Sequence, residues 1–130
     1  MKLLPDSNIF IDYWRNRDGL AQKYESVFTN EDILICGVVR AELLHGARSE
    51  KHLKSMSAML DAFDDVNLEG SDWNTLGEYL YKLRMNGITV PLADAMIAAT
   101  AIKLDIPVWT GDNHFELMKT VLPQLKIYEL

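Results

Sequence analysis

Four acidic residues, Asp6, Glu42, Asp94 and Asp112, stand where solvation alone does not account for a carboxylate. Asp6 closes the apolar run Leu3-Leu4 and leads into Ile9-Phe10-Ile11. Asp94 heads Ala95-Met96-Ile97-Ala98-Ala99-Thr100-Ala101-Ile102, which carries no charge before Lys103. A helix apolar on nearly every side is buried. A carboxylate at its start needs a partner, because an unpaired buried charge is too costly to keep. Lysine and arginine are scarce beside these acids, so a divalent cation is the expected partner. Carboxylates without Cys or His ligands suit Mg2+, with Mn2+ as the alternative, better than zinc. Ions held this way can activate water and stabilise the departing oxygen in a phosphoryl displacement. The chemistry indicated is metal-dependent hydrolysis.

Other reactive side chains carry blander expectations. His114, two positions after Asp112, could be a ligand or general base, but a helix-surface histidine is the simpler reading. His45 and His52 are expected to face solvent. Cys36, the only cysteine, follows Ile33-Leu34-Ile35 and is expected to be a small buried hydrophobe. One cysteine excludes an intrachain disulfide and a thiolate metal cluster.

The length of 130 residues fits one domain, 1–130, with a real core. Hydrophobic content of 48% and charged content of 25% are ordinary for a soluble protein. No apolar run approaches the roughly 20 residues that span a bilayer. The opening Met1-Lys2-Leu3-Leu4-Pro5-Asp6 reaches an acid too early for a secretory signal, so no membrane and a cytoplasmic location are expected. Net charge is −6, without the basic footprint that counterion release requires. Any nucleic-acid contact must therefore depend on metal ions and local patches. Arg40, Arg48, Lys51, His52 and Lys54 form the densest basic group, near Glu42, and read first as a solvated helix face.

Apolar runs of strand length alternate with longer helical patterns, predicting an α/β fold with a parallel sheet of about five strands covered on both faces. Lys2 to Pro5 is the first predicted strand. Ser7 or Asn8 caps a helix to about Arg15, and another runs over Leu20 to Phe28. Ile33 to Cys36 is a strand, Val38 to Arg48 a helix, and Lys51 to Phe63 a helix. In that last helix Leu53, Met56, Met59, Leu60 and Phe63 face the core or, alternatively, a partner. A short strand over Val66 to Leu68 precedes a helix over Trp73 to Met85. Pro91 starts the apolar helix that ends near Leu104. Pro107 to Thr110, Asp112 to Lys119 and Lys126 to Tyr128 complete the chain as strand, helix and strand.

In open parallel sheets ligands bind beyond the carboxyl ends of the strands. Asp6 ends the first strand, and Asp112 follows the strand that ends at Thr110. Asp94 lies in a first helical turn, where the macrodipole favours negative charge. Glu42 lies one helical turn before Gly46 on the same face. One sheet edge therefore collects all four. Asp6 and Asp112 also read as helix caps, and Glu42 as a surface acid.

The chain resembles the PIN-domain family, specifically the VapC-like ribonuclease toxins of bacterial type II toxin–antitoxin modules. The resemblance rests on Asp6-Ser7-Asn8, Glu42-Leu43-Leu44-His45-Gly46, Ala93-Asp94-Ala95-Met96-Ile97-Ala98-Ala99-Thr100-Ala101 and Trp109-Thr110-Gly111-Asp112-Asn113-His114-Phe115, in family order over essentially the whole chain. It implies a single PIN domain, a three-layer α/β/α sandwich, with Asp6 and Asp94 as direct Mg2+ ligands. Glu42 and Asp112 would act through metal-bound water or on a second ion, with Ser7, Asn8 and Thr110 in support. It further implies endonucleolytic RNA cleavage that leaves a 5′-phosphate and restrains translation. A homodimer and a cognate antitoxin, whose basic residue enters the acidic pocket, belong to the same implication. Pro5 departs from the family's usual aliphatic residue and predicts a strand that ends one residue early. Ser7 replaces a frequent threonine and keeps its hydroxyl.

Two other classes remain open at this level. One is a catalytically degenerate binding module that keeps only the fold. The other is a phosphatase-like domain with Asp6 as nucleophile, which would need an acid where Asn8 stands and a late lysine such as Lys103 or Lys119.

Overall fold

The computed structural model describes residues 1–130. Four strands, β1 (Lys2–Pro5), β2 (Asp32–Cys36), β3 (Asp64–Val66) and β4 (Val108–Trp109), pair in parallel in the order β3-β2-β1-β4. The helices are α1 (Ser7–Trp14), α2 (Ala21–Asn30), α3 (Gly37–His45), α4 (Glu50–Leu60), α5 (Asp72–Met85), α6 (Leu92–Leu104) and α7 (Asn113–Val121). α3 packs with α1, α4 and α6, while α5, α6 and α7 pack on one another, so helices cover both faces of the sheet. The expected three-layer α/β/α arrangement is present. The predicted closing strand is reduced to a single parallel bridge, Val108 to Ile127, flanked by Val108 N–H donating to Lys126 O at 2.9 Å and Tyr128 N–H to Val108 O at 2.8 Å. β3 begins two residues earlier than its predicted start at Val66.

Pro5 does not shorten β1. Leu4 and Asp6 donate their N–H groups to Pro107 O and Trp109 O, both at 3.0 Å, on the β4 side. By strand alternation the Pro5 nitrogen points to the β2 side, where pairing ends at Leu3 with Ile33. The missing donor therefore breaks no ladder bond, and β1 carries Asp6 to its full reach.

The core runs through the sheet. Leu3, Leu4, Ile35, Val39, Leu60, Val108, Phe115 and Met118 are fully excluded from solvent. Phe10, Phe28, Phe63 and Trp109 form an aromatic knot, with Phe28 5.4 Å from Phe10 and 5.2 Å from Trp109 between ring centroids. α6 is buried over Ala95, Ile97, Ala98, Ala99, Thr100 and Ala101, as its all-round apolar sequence predicts. Its one buried hydroxyl, on Thr100, donates to Met96 O at 2.7 Å and needs no outside acceptor. Cys36 is buried, and that burial pushes its thiol up to about 11, so it is an inert hydrophobe as expected. The Met-rich face of α4 divides: Met56 and Leu60 are buried, while Leu53 and Met59 are exposed.

α3 starts without any loop after β2. Gly37 N–H donates at 2.8 Å to Asn67 Oδ1, and a methyl group on Gly37 would sit 2.7 Å from that oxygen. The close approach sets the direction in which α3 leaves the sheet, and with it the place of Glu42. Phe10→Ala should remove the centre of the aromatic knot and destabilise the domain by about 3–5 kcal/mol. A urea midpoint unchanged from wild type would show that the knot contributes nothing.

Candidate active site

The chain leaves β1 toward β2 and β3, then returns to β4 on the opposite side of β1. A reversal of this kind opens a crevice at the carboxyl ends of β1 and β4. Asp6 follows β1 directly, and Asp112 follows β4 after Thr110-Gly111. Both are also helix caps: Asp6 Oδ1 accepts from Ile9 N–H at 3.2 Å, and Asp112 Oδ1 accepts from His114 N–H at 2.9 Å. The local role and the convergence coexist, since a carboxylate has more lone pairs than one cap uses.

Thr110 joins the two ends. Its hydroxyl donates to Asp6 Oδ2 and accepts from Asp112 N–H at 2.9 Å. Asp94, in the first turn of α6, meets this pair through His114, whose Nδ1 lies 2.9 Å from Asp94 Oδ2 and 3.3 Å from Asp112 Oδ1. Glu42 sits on the exposed rim of α3, where the nearby Ser7 side chain favours its charged form. Asn8 is exposed and bonds to none of the acids; it lines a shallow cleft with Asp12, Arg17, Gly111 and Asp112. No Lys or Arg lies within ion-pair distance of Asp6, Glu42, Asp94 or Asp112. Of the expected basic group near Glu42, Arg48 and His52 line one hollow with it. Arg40 turns away to Asp61 at 3.1 Å and Asp65 at 3.2 Å.

The electrostatics follow from this layout. Asp6 is only 4% exposed, and burial raises its pKa from 3.8 to about 6, against the lowering effect of the Thr110 and Ile9 hydrogen bonds. The negative charges of Asp94 and Asp112 push in the same direction as burial. Glu42 is raised by partial burial and then by Asp94, while Ser7 opposes. The His114 pKa is raised, chiefly by its hydrogen bond to Asp94 and further by Asp112. An imidazolium there partly offsets the anionic cluster.

His114 is the residue that sequence reasoning placed wrongly. It is a part of the cluster, not a helix-surface histidine. Its signal was available: a side chain in the first turn of a helix that starts at the sheet's carboxyl edge faces the same crevice as the cap. Asp94, Asp112 and His114 each offer a ligand atom, and these lie within 4.8 Å of one another. Opposite ligands of Mg2+ at about 2.1 Å are about 4.2 Å apart, so little contraction is needed. A buried carboxylate without a cationic partner and a mainly hard-oxygen donor set fit a divalent ion. The imidazole admits Mn2+ more readily than an all-carboxylate set would.

The family model for the PIN domain matches residues 3–120. The chain belongs to the PIN-domain family. It is 27% identical over 129 residues to ribonuclease VapC1 of Methanocaldococcus jannaschii, covering 98% of this chain and 88% of that one. Among solved structures, VapBC2 from Rickettsia felis, bound to a DNA fragment from its promoter, superposes with TM-score 0.78 at 21% identity over 100% of this chain and 99% of that chain. VapBC-1 from nontypeable Haemophilus influenzae gives 0.77 at 18% identity over 99% and 98%. At these identities the structural likeness is one of PIN fold.

The raised pKa of Asp6 makes a signed prediction for the metal-free PIN domain. Between the ordinary 3.8 and about 6 the folded chain keeps a proton that the unfolded chain has released. The contribution of this group to stability is therefore fully present below 3.8 and is lost as pH rises through about 6, by about 3 kcal/mol. Urea titrations in EDTA should show this loss in the wild type and lose most of it in Asp6→Asn. A wild-type profile with the same pH dependence as Asp6→Asn over this window would contradict the burial of an unpaired acid.

Proposed function

We propose that this PIN domain is a Mg2+-dependent endoribonuclease, the toxin of a toxin–antitoxin pair, acting through Asp6, Glu42, Asp94 and Asp112. The observation that carries the reading is the buried Asp6 carboxylate, linked through Thr110 to Asp112 at the sheet's switch point without a lysine or arginine to neutralise it. Support comes also from the relative named as a ribonuclease and from structural neighbours described as VapBC complexes.

A bound Mg2+, or Mn2+ in its place, supplies positive charge against the scissile phosphate and lowers the pKa of water. Asp6 and Asp94 would hold it, with Glu42 and Asp112 completing the anionic wall. Thr110 fixes the Asp6 oxygen and the Asp112 backbone together. Ser7 and Asn8 stand in support beside Asp6, and His114 orients Asp94. In the reaction the oxygen of water bonds to phosphorus, the P–O3′ bond breaks and O3′ takes a proton. The products are a 3′-hydroxyl and a 5′-phosphate, and cutting restrains translation. The partners in this reading are RNA, an antitoxin with a basic residue that enters the acidic pocket, and a second copy of the chain. A net charge of −6 favours a basic partner. No helix is long and apolar enough to cross a membrane, and the cytoplasm is the location this reading requires. The aspartyl-phosphate alternative is disfavoured, because Lys103 is held by Asp72 at 2.7 Å.

Purified chain free of partner should cut RNA in Mg2+, and EDTA should stop it. Asp94→Asn should lower the cleavage rate by at least ~100-fold. Cleavage by that variant at the wild-type rate would remove the proposal. Mn2+ affinity, read by calorimetry, should strengthen as pH rises through about 6, because the ion competes with the Asp6 proton.

A further inference from the structure

We propose that the hollow between α1, α3 and α4, beside Glu42, is a subsite for one nucleotide of the RNA strand, with phosphate held by Arg15 and Arg48 and the base stacked on Trp14. The inference rests on the nuclease reading and names where that substrate lies next to the acids. The chain has five arginines. Arg17 pairs with Asp12 at 3.5 Å, Arg40 with Asp61 and Asp65, and Arg84 lies over the Tyr81 ring, 5.7 Å from its centroid. Arg15 and Arg48 alone have neither an anionic nor an aromatic partner, and both line this one hollow. They share it with Glu42, yet neither comes within ion-pair distance of that carboxylate. In a chain of net charge −6, two free guanidinium groups converging beside a catalytic acid are a local patch for a polyanion.

The hollow's shape narrows the ligand. Its volume is about 270 Å3, near the lower end for small-molecule sites, which suits one nucleotide. Trp14 is half-buried, 5.9 Å from Phe10 between ring centroids, and lines the same hollow. His52 Nδ1 accepts from Arg48 N–H at 3.0 Å, so the neutral ring carries its proton on Nε2 and keeps a donor. Two guanidiniums, an imidazole donor and an indole are the groups that bind single-stranded RNA by charge and stacking without reading sequence.

The test is fluorescence anisotropy with a fluorescein-labelled single-stranded oligoribonucleotide of about 12 nucleotides. The protein is Asp94→Asn, which keeps the probe intact, with and without Arg15→Gln and Arg48→Gln together. Arg84→Gln controls for the loss of one charge elsewhere. The double change should weaken binding at least tenfold and flatten the slope of log affinity against log salt by about 0.7 per arginine. Arg84→Gln should stay within about twofold. Both arginines are exposed, so melting temperature should not move. Equal affinity and slope in the double variant overturn the subsite and leave the hollow to a peptide partner. If the wild type still cuts RNA in that case, the nuclease reading survives alone. A wild type that binds through both arginines but never cuts removes the nuclease reading and keeps the subsite.

Discussion

A carboxylate held almost wholly out of water is the constraint on which this molecule is built. Asp6 is almost wholly excluded from water at the end of β1, an inner strand of the sheet, and burial outweighs both hydrogen bonds that favour its charged form. Asp94 and Asp112 act on it with like charge, and Glu42 is coupled in turn to Asp94, all without a lysine or arginine in ion-pair reach. Such an assembly is destabilising by itself, and its persistence needs a rigid frame.

The frame is supplied by order in the backbone. Parallel pairing places β1 and β4 side by side although more than a hundred residues separate Asp6 from Asp112. Thr110 then ties the two strand ends with one hydroxyl that both donates and accepts. α6, buried almost all round, cannot slide without opening the core, so Asp94 in its first turn is held as firmly as the helix itself. Asp6, Asp94 and Asp112 thus stand on strand ends and first helical turns, the least mobile places a crevice can offer.

Charge is distributed with the same economy. Arg40 bridges α3 to the segment around β3, and Lys103 anchors α6 to the start of α5 through Asp72. These cations are committed to structure, away from the acids. The crevice is left anionic, with His114 as its one basic neighbour, and Arg15 and Arg48 remain free on the side of Glu42. A phosphate chain approaching this edge meets repulsion from the acids unless a cation is bound, and attraction at the flank in either state.

Much of this was legible in the chain alone. The alternation of strand and helix, the burial of α6 and of Cys36, and the grouping of Asp6, Glu42, Asp94 and Asp112 at one edge follow from apolar patterning and from caps, which are local effects. Elements whose stability comes from pairing partners were read less well: the last strand shrank to one bridge, and β3 shifted. Pro5 was expected to cut β1 short, yet only the register with β2 and β4 decides which side its missing N–H faces. His114 looked like a surface residue because its partner Asp94 is twenty positions away and on another helix. The Thr110–Asp6 bond, and the meeting of Arg15 with Arg48, likewise join residues far apart in sequence. Residue type and spacing determined which chemistry was available and where the chain would turn. The tertiary structure decided which side chains touch, because contact depends on the path between two residues and no local pattern encodes that path.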